Sequence, residues 1–258
     1  MDYLGDGVTL VFPKKTFLYA ANNRNGFLCG RELVNKGCIP KALLLHPVSR
    51  RKWGDEICSL FPDIPVIEWN QDHFSKLNAT GAEILLSVNF GYTFPPEILS
   101  FFAYPMNLHT GYLPFNRGTH PNVWSIAENT PAGVTLHLMT AELDKGDIIA
   151  QQEVAVLPTD TGLSLYEKLE EASAKLIGDT FPSLLAEEIH TTPMPEGGTF
   201  HCALDFEALC ALSPEENLTV ENFLRRLRAL SFPPYKNAYF LAGEKKVYLD
   251  ITMALDEE

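Results

Sequence analysis

Short, continuous apolar runs separated by polar segments dominate the first 110 residues. The runs lie at 16–21, 42–45, 65–68, 83–88 and 106–109. Because a strand covered on both faces needs apolar side chains on both, such runs predict strands of a parallel sheet. Between the first two runs, Phe27, Leu28 and Leu33 share one helical face, and Lys36-Gly37 predicts the end of a helix over 27–35. This alternation predicts a doubly wound, mostly parallel α/β sheet.

The second half of the chain continues the alternation as far as residue 190. A helix is predicted over 121–128 and strands over 133–139 and 148–157. Ser164-x-x-Glu167 predicts a capping box at the start of a long helix, which Pro182 is expected to kink or interrupt. The apolar face of that helix consists of Leu165, Leu169, Ala172, Leu176 and Ile177.

A change of composition divides the chain near residue 192. The Pro/Gly/Thr-rich stretch 191–200 predicts a linker, so we expect a main domain over 1–192 and a small subdomain over 193–258. In the subdomain, Thr219 is the expected N-cap of a helix that carries the pair Glu221 and Arg225. Residues 238–251 predict a β-hairpin with its turn at 242–244. Since an isolated hairpin is marginal in water, it must pack on the main domain or on a second subunit.

Charge and cysteine usage restrict the partners and the compartment. The 258 residues contain 20 Lys and Arg against 33 Asp and Glu, a net charge of −13. Such a chain is unsuited to wide contact with nucleic acid or anionic membrane, although a small anionic ligand can still be bound by local positive potential. Five dispersed cysteines suggest free thiols in a reducing compartment, and we expect a cytoplasmic protein with no secretory signal and no membrane span.

The first candidate for chemistry is Asn107-x-His109 at the end of a predicted strand. Side chains two residues apart leave the same face of a strand, so an amide and an imidazole can serve one reacting carbon. Asp144 follows on a loop after the next strand, where a carboxylate can orient the imidazole. Taken alone, Asn107 and His109 are more often a capping or core pair, and His137 a strand histidine satisfied by its surroundings. No histidine has ligand spacing with a cysteine or acid, so we expect no metal.

Four segments together resemble the folate-dependent formyltransferase family. They are SVNFGYTFPPEIL (87–99), NLHTGYLPFNRG (107–118), GVTLHLMTAELDKGDI (133–148) and PTDTGLSLYEKLEEAS (158–173). The family includes methionyl-tRNA formyltransferase, glycinamide ribonucleotide transformylase and the sugar N-formyltransferases. The resemblance implies a Rossmann-like domain, an Asn107, His109 and Asp144 catalytic trio, and N10-formyltetrahydrofolate as formyl donor. It also implies that the donor lies against two segments, with contacts at Phe90, Gly91, Tyr92, Thr93, Thr140 and Leu143.

The C-terminal tail indicates which acceptor is used. Residues 201–258 hold six Lys and Arg against ten acids, a net charge of −4 that would not attract tRNA. The tail looks like the short tail of nucleotide-sugar N-formyltransferases, which implies a nucleotide-linked amino-deoxy sugar as acceptor, a formamido sugar for surface polysaccharide as product, and a homodimer formed through the hairpin. The residues that would line or support the acceptor side are Thr110, Asn116, Arg117, Asn122, Trp124 and Tyr235.

Two alternatives stay open. The same scaffold can serve another acceptor (tRNA, a ribonucleotide amine or water), or the protein can bind folate or nucleotide sugar without catalysis. Arg24 and Arg117 are among the basic residues expected near the cleft of this acidic chain.

Overall fold

A computed structural model describes residues 14–70 and 73–256. A seven-stranded sheet forms its centre, in the order β3-β2-β1-β4-β5-β7-β8. The strands are β1 (Phe17–Ala21), β2 (Ala42–Leu45), β3 (Val66–Glu68), β4 (Ile84–Val88), β5 (Tyr104–His109), β6 (Arg117–Gly118), β7 (Gly133–Leu138), β8 (Ile148–Glu153), β9 (Phe200–His201), β10 (Tyr239–Ala242) and β11 (Lys245–Tyr248). The helices are α1 (Asn23–Asn35), α2 (Gly54–Leu60), α3 (His73–Ala79), α4 (Pro96–Leu99), α5 (Pro121–Ala127), α6 (Gly162–Ala186), α7 (Ala203–Cys210) and α8 (Val220–Leu230).

The first five strands are parallel, and β7 and β8 are antiparallel to their neighbours. Every residue of β1, β2 and β4 is buried, which explains their apolar runs. One face of the sheet packs against α1 and α6, and the other against α3 and α4. The predicted fold class is therefore confirmed, including the small C-terminal hairpin. Since β1 pairs with both β2 and β4, the chain order reverses beside β1, and ligands of such sheets bind outside the carboxyl ends of the strands.

Two helix starts differ from the prediction. Helix α1 begins at Asn23, four residues before Phe27, because the polar residues Asn23 to Asn25 are part of the helix and Asn25 is buried within it. The capping box of α6 is formed by Thr161 and Ser164, so the predicted pair Ser164 and Glu167 is wrong. Pro182 lies inside α6, and the helix continues to Ala186.

The C-terminal tail folds largely as its pattern indicates. The Thr219 side chain accepts the Asn222 N–H at the start of α8. Glu221 and Arg225 form the expected ion pair at 3.2 Å. Strands β10 and β11 form the predicted hairpin.

The stretch predicted as a linker is attached to the main sheet domain. Thr192 forms a β-bridge with Ile148, and strand β9 pairs in parallel with β6. The Pro/Gly-rich composition of 191–200 thus reflects tight turns along the domain surface. Its last residues lie against the loop that follows His109, at Arg117 and Gly118.

Candidate functional site

Asn107 and His109 lie in the last half of β5, between the parallel strand β4 and the antiparallel strand β7. Asn107 is opposite Ser87 on one side and His137 on the other, and His109 is opposite Thr135. The two-residue spacing places both side chains on one face of the sheet, at its carboxyl edge. His109 is buried, whereas Asn107 is half-buried.

The loop between β7 and β8 brings Asp144 to the same place. Oδ2 of Asp144 lies 3.6 Å from Nδ1 of His109 and accepts the Gly118 N–H at 3.0 Å. Asp144 has a left-handed backbone, with φ 51°, and only 7% of its surface is exposed. Burial by itself raises the pKa of Asp144, but His109, His137 and the Gly118 N–H together hold this pKa well below its usual range. The site therefore contains an ionised carboxylate beside an imidazole.

His137 is a member of the site that sequence reasoning missed. Its Nδ1 donates to the Leu138 carbonyl at 2.8 Å, while its Nε2 lies 3.4 Å from Nδ2 of Asn107 and 3.6 Å from Oδ1 of Asp144. The ring thus lies beside both of these side chains. The sequence places His137 on a predicted strand, but only the pairing of β7 with β5, which puts it opposite Asn107, shows that it lies in the site.

The loop after β5 fixes the other side of the His109 ring. Nε2 of His109 donates to the Asn116 carbonyl at 2.9 Å, since a carbonyl can only accept. Gly111 passes so close that a Cβ there would lie 2.6 Å from Nε2. Thr135 Oγ1 joins this loop to β7 by donating to the Gly111 carbonyl at 2.8 Å and accepting the Leu113 N–H at 3.1 Å. The ring orientation is therefore determined on both sides.

The predicted folate contacts lie in two segments that meet one aromatic cluster. Phe90 is buried against Trp69 and Phe94, and its carbonyl accepts a hydrogen bond from Nε2 of His46. Tyr92 is half-buried, and Gly91 and Thr93 are exposed. On the second segment Thr140 and Leu143 are exposed, and Met139 packs against the cluster that contains Phe90. The side chain of Phe90 thus serves the core, and the exposed positions are available to a ligand.

Most predicted acceptor-side residues are buried supports. Asn116 is completely buried and Thr110 is 8% exposed. Asn122 donates to the Gly162 carbonyl at 2.8 Å, and the Trp124 ring stacks on His201 at 3.8 Å. These four side chains are buried and act as supports around the loop that follows His109.

Three further residues from the prediction have contacts of their own. Nε of Arg117 is buried and unpartnered, and its guanidinium lies 5.9 Å from the Phe200 ring centre. Tyr235 is 62% exposed and lies 5.9 Å from the Phe232 ring centre. Arg24 forms an ion pair with the buried carboxylate of Glu170.

The described residues contain no long apolar helix able to cross a membrane. Across 14–70 and 73–256 no group of three or more His, Cys, Asp or Glu side chains is arranged to hold a metal ion. What the site brings together is an amide, an imidazole and an ionised carboxylate. This set can stabilise an oxyanion and move a proton at one carbon centre.

Comparisons with known proteins connect this arrangement to a family. Residues 28–180 match the formyl transferase family, and residues 205–255 match the N-formyltransferase dimerization C-terminal domain. The dTDP-4-amino-4,6-dideoxyglucose formyltransferase of Mycobacterium tuberculosis is 34% identical over 149 residues, which are 57% of this chain and 64% of that protein. The chain therefore matches slightly less than two thirds of that relative's length.

Solved structures resemble large parts of the chain. A sugar N-formyltransferase from Shewanella sp. FDAARGOS_354 superimposes with a TM-score of 0.82 at 26% identity, covering 94% of this chain and 99% of that one. The formyltransferase PseJ from Anoxybacillus kamchatkensis, in complex with UDP-4,6-dideoxy-4-formamido-L-AltNAc and tetrahydrofolate, is 36% identical with a TM-score of 0.53. That match covers 65% of this chain and 88% of PseJ.

Proposed function

The chain belongs to the formyl transferase family, and we propose that it transfers a formyl group from N10-formyltetrahydrofolate to the amine of a nucleotide-linked amino-deoxy sugar. One observation carries the proposal: Asp144, ionised and buried, lies 3.6 Å from Nδ1 of His109, on the sheet edge that also presents Asn107. A protein that only binds its ligands has no need of this charged arrangement in a buried position. The groups match the requirements of acyl transfer to an amine.

The reaction requires a new carbon–nitrogen bond and the loss of the old one. The acceptor amine attacks the formyl carbon, and the carbonyl oxygen becomes an oxyanion to which the Asn107 amide donates a hydrogen bond. Collapse of this tetrahedral species breaks the bond to N10, and tetrahydrofolate and a formamide leave.

His109 is suited to carry the proton in this sequence. Nε2 faces the Asn116 carbonyl and Nδ1 faces Asp144, so a ring with a proton on each nitrogen would be bonded on both sides. We infer that such a ring supplies positive charge beside the oxyanion, and that Nε2 exchanges the Asn116 carbonyl for the substrate when it gives its proton to N10. The proton lost by the acceptor amine then restores the ring.

The acceptor class is supported by the tail and by the relatives. The tail has a net charge of −4, which disfavours tRNA. The M. tuberculosis relative is named for a dTDP-linked 4-amino sugar, and PseJ was solved with a UDP-linked 4-formamido sugar. We therefore propose a nucleotide-linked amino sugar as substrate, with 4-amino-6-deoxysugars as the first to test. Cytoplasmic location and a surface-polysaccharide destination for the product stay predictions.

A homodimer is the proposed assembly. Residues 205–255 match a dimerization domain, and among the described residues β11 pairs only with β10, while Tyr239 of β10 also bridges to Ala211. The hairpin carries large exposed apolar side chains at Leu241, Val247 and Tyr248. Apolar strands with free edges are suited to pair with a second copy.

A substrate panel tests the function. The protein is incubated with N10-formyltetrahydrofolate and dTDP- or UDP-linked 3- and 4-amino-6-deoxysugars, and formamide is measured by mass spectrometry. We expect product with at least one sugar, and a loss on the order of 10²–10⁴ in rate for His109→Ala with ligand binding retained. His190→Ala, at an exposed histidine outside the site, is the matched control and should leave the rate unchanged. Donor hydrolysis without any formamide would reject the proposal in favour of a formyl hydrolase.

A further inference from the structure

Residues 198–201, named here the strap, lie between the two segments that match known families, 28–180 and 205–255. The strap runs along the loop that follows His109. The Arg117 N–H donates to the Thr199 carbonyl at 3.0 Å, and the Thr119 N–H donates to the His201 carbonyl at 2.9 Å. A segment outside both matched ranges is thus hydrogen-bonded to the loop that follows His109.

Thr199 holds Asn116 through its side chain. Its Oγ1 accepts the Asn116 N–H at 2.9 Å and donates to Oδ1 of Asn116 at 3.0 Å. Asn116 is completely buried and has φ 58°, a left-handed conformation that asparagine tolerates better than most residues, and its main chain and side chain are both bonded to Thr199. The Thr199 hydroxyl is therefore part of what fixes this residue.

The same short loop holds two of the three chemical groups of the site, the imidazole and the carboxylate. The Asn116 carbonyl accepts the hydrogen bond from Nε2 of His109 at 2.9 Å. The Gly118 N–H, two residues further, donates to Oδ2 of Asp144 at 3.0 Å. A displacement of residues 116–118 would thus move the partners of the imidazole and of the carboxylate together.

The strap is packed against the loop with no free space. A Cβ at Gly198 would lie 2.0 Å from the Pro114 carbonyl oxygen, and one at Gly118 would lie 2.2 Å from the His201 carbonyl oxygen. His201 fastens the end of the strap to α5, because its ring stacks on Trp124 at 3.8 Å and its Nε2 lies 3.2 Å from Glu128. These contacts hold the strap in one position relative to the loop.

We propose that the strap is a positioning element for His109 and Asp144, and that Thr199 is the positioning residue through which it acts. The inference rests on the proposed formyl transfer, to which it adds residues beyond the matched catalytic segment. The strap leads directly into α7 and hence into the segment that matches the dimerization domain. It is the covalent connection between that segment and the site.

Thr199→Val and Thr199→Ser test the residue. Valine keeps the shape but removes both hydrogen bonds to Asn116, whereas serine keeps both. We expect Thr199→Val to lower kcat on the order of 10- to 100-fold with KM for both substrates within about threefold, because the groups are misplaced while ligand binding is retained. Thr199→Ser should restore most of the rate. Equal kcat in the wild type and Thr199→Val would overturn the assignment.

A pair of glycines separates displacement of the strap from backbone strain. Gly197 and Gly198 both have positive φ, 89° and 78°, but a Cβ at Gly197 meets no atom within 4 Å. Gly198→Ala should therefore lower kcat much more than Gly197→Ala, since only the former pushes the strap from the loop. Equal losses in the two variants would contradict the proposal. If Gly198→Ala does not fold, the comparison of Thr199→Val with Thr199→Ser decides.

Hydrogen exchange distinguishes failure of this inference from failure of the proposed function. Amide exchange of a peptide covering 111–119 is measured by mass spectrometry in the wild type and in Thr199→Val. We expect faster exchange of this peptide in the variant and unchanged exchange in β4, whatever reaction the protein catalyses. Unchanged exchange in 111–119 would refute the strap's role even if formyl transfer is found. Faster exchange without any formyl transfer in the wild type would support the strap and reject the proposed function.

Discussion

Oδ1 of Asp144 lies 3.6 Å from Nε2 of His137, while the other oxygen of the same carboxylate faces His109. His137 also contacts the Asn107 amide and is 1% exposed. It therefore lies beside two of the three groups proposed for the reaction, in a buried position.

His137→Gln should lower kcat on the order of 10- to 100-fold, because Asn107 and Asp144 lose a common fixed partner. KM for the sugar should change little. Steady-state kinetics with His190→Gln as the exposed matched control measure both quantities. An unchanged kcat would return His137 to the role of an ordinary strand histidine, as its sequence pattern suggests.

The depressed pKa of Asp144 predicts how stability depends on pH. The folded carboxyl has a pKa below its ordinary value of 3.8. Its ionised form therefore stabilises the fold above that value, and the contribution is lost as the pH falls toward the folded pKa. Urea unfolding should show Asp144→Asn to be less stable than the wild type by roughly 1–3 kcal/mol at neutral pH.

This stability difference should shrink as the pH falls from about 5 to about 3. Asp147→Asn, an exposed aspartate in the same loop, controls for the loss of one negative charge. A wild-type advantage that stays constant over the whole range would show that the Asp144 carboxylate gains nothing from its folded surroundings.

Gly111 is required for the position of the His109 ring. A Cβ at Gly111 would lie 2.6 Å from Nε2 of His109, closer than any real contact of that kind. Gly111→Ala should lose at least about 90% of kcat while its far-UV circular dichroism stays that of the wild type. Gly178→Ala is the control, since its Cβ would meet Glu32 at an ordinary 3.4 Å. Retention of full activity in Gly111→Ala would mean that the ring orientation described here is not the active one.

The hairpin predicts the oligomeric state. Val247→Lys places a charge in the exposed apolar surface of β11, and we expect a dimer in the wild type to become a monomer at about 10 μM, because burying an unpaired ammonium is costly. Analytical ultracentrifugation measures the change. Val48→Lys, at a valine that is 74% exposed in a different part of the chain, should leave the dimer intact. A wild-type monomer at this concentration would contradict the proposed assembly.

The sequence pattern located the central strands to within about two residues, because strands buried on both faces must be continuously apolar. It did not give the first residues of β5, where Tyr104 and Pro105 pair with Ile84 and Leu85, since these two are only half-buried. Polar runs were the main source of error. Asn23 to Asn25 belong to α1 because Asn25 is buried there, which no local rule predicts.

The sequence motifs predicted the three residues proposed for the reaction, but not the residues that support them. Asn107, His109 and Asp144 were expected together, and the structure brings them together. Their supports depend on contacts between distant parts of the chain: His137 follows Asn107 by 30 positions and Thr199 follows Asn116 by 83. Composition suggested a linker at 191–200 because glycine and proline mark flexible segments and tight packing alike.

Following a labelled formyl group is the most direct test of transfer from the folate donor to the sugar amine. The wild-type protein is incubated with N10-formyltetrahydrofolate carrying ¹³C in the formyl carbon and with the best sugar of the panel, and the products are followed by ¹³C NMR. We expect a formamide carbon on the nucleotide-linked sugar, absent with His109→Ala. A signal from labelled formate alone, or no loss of label from the donor, would contradict it.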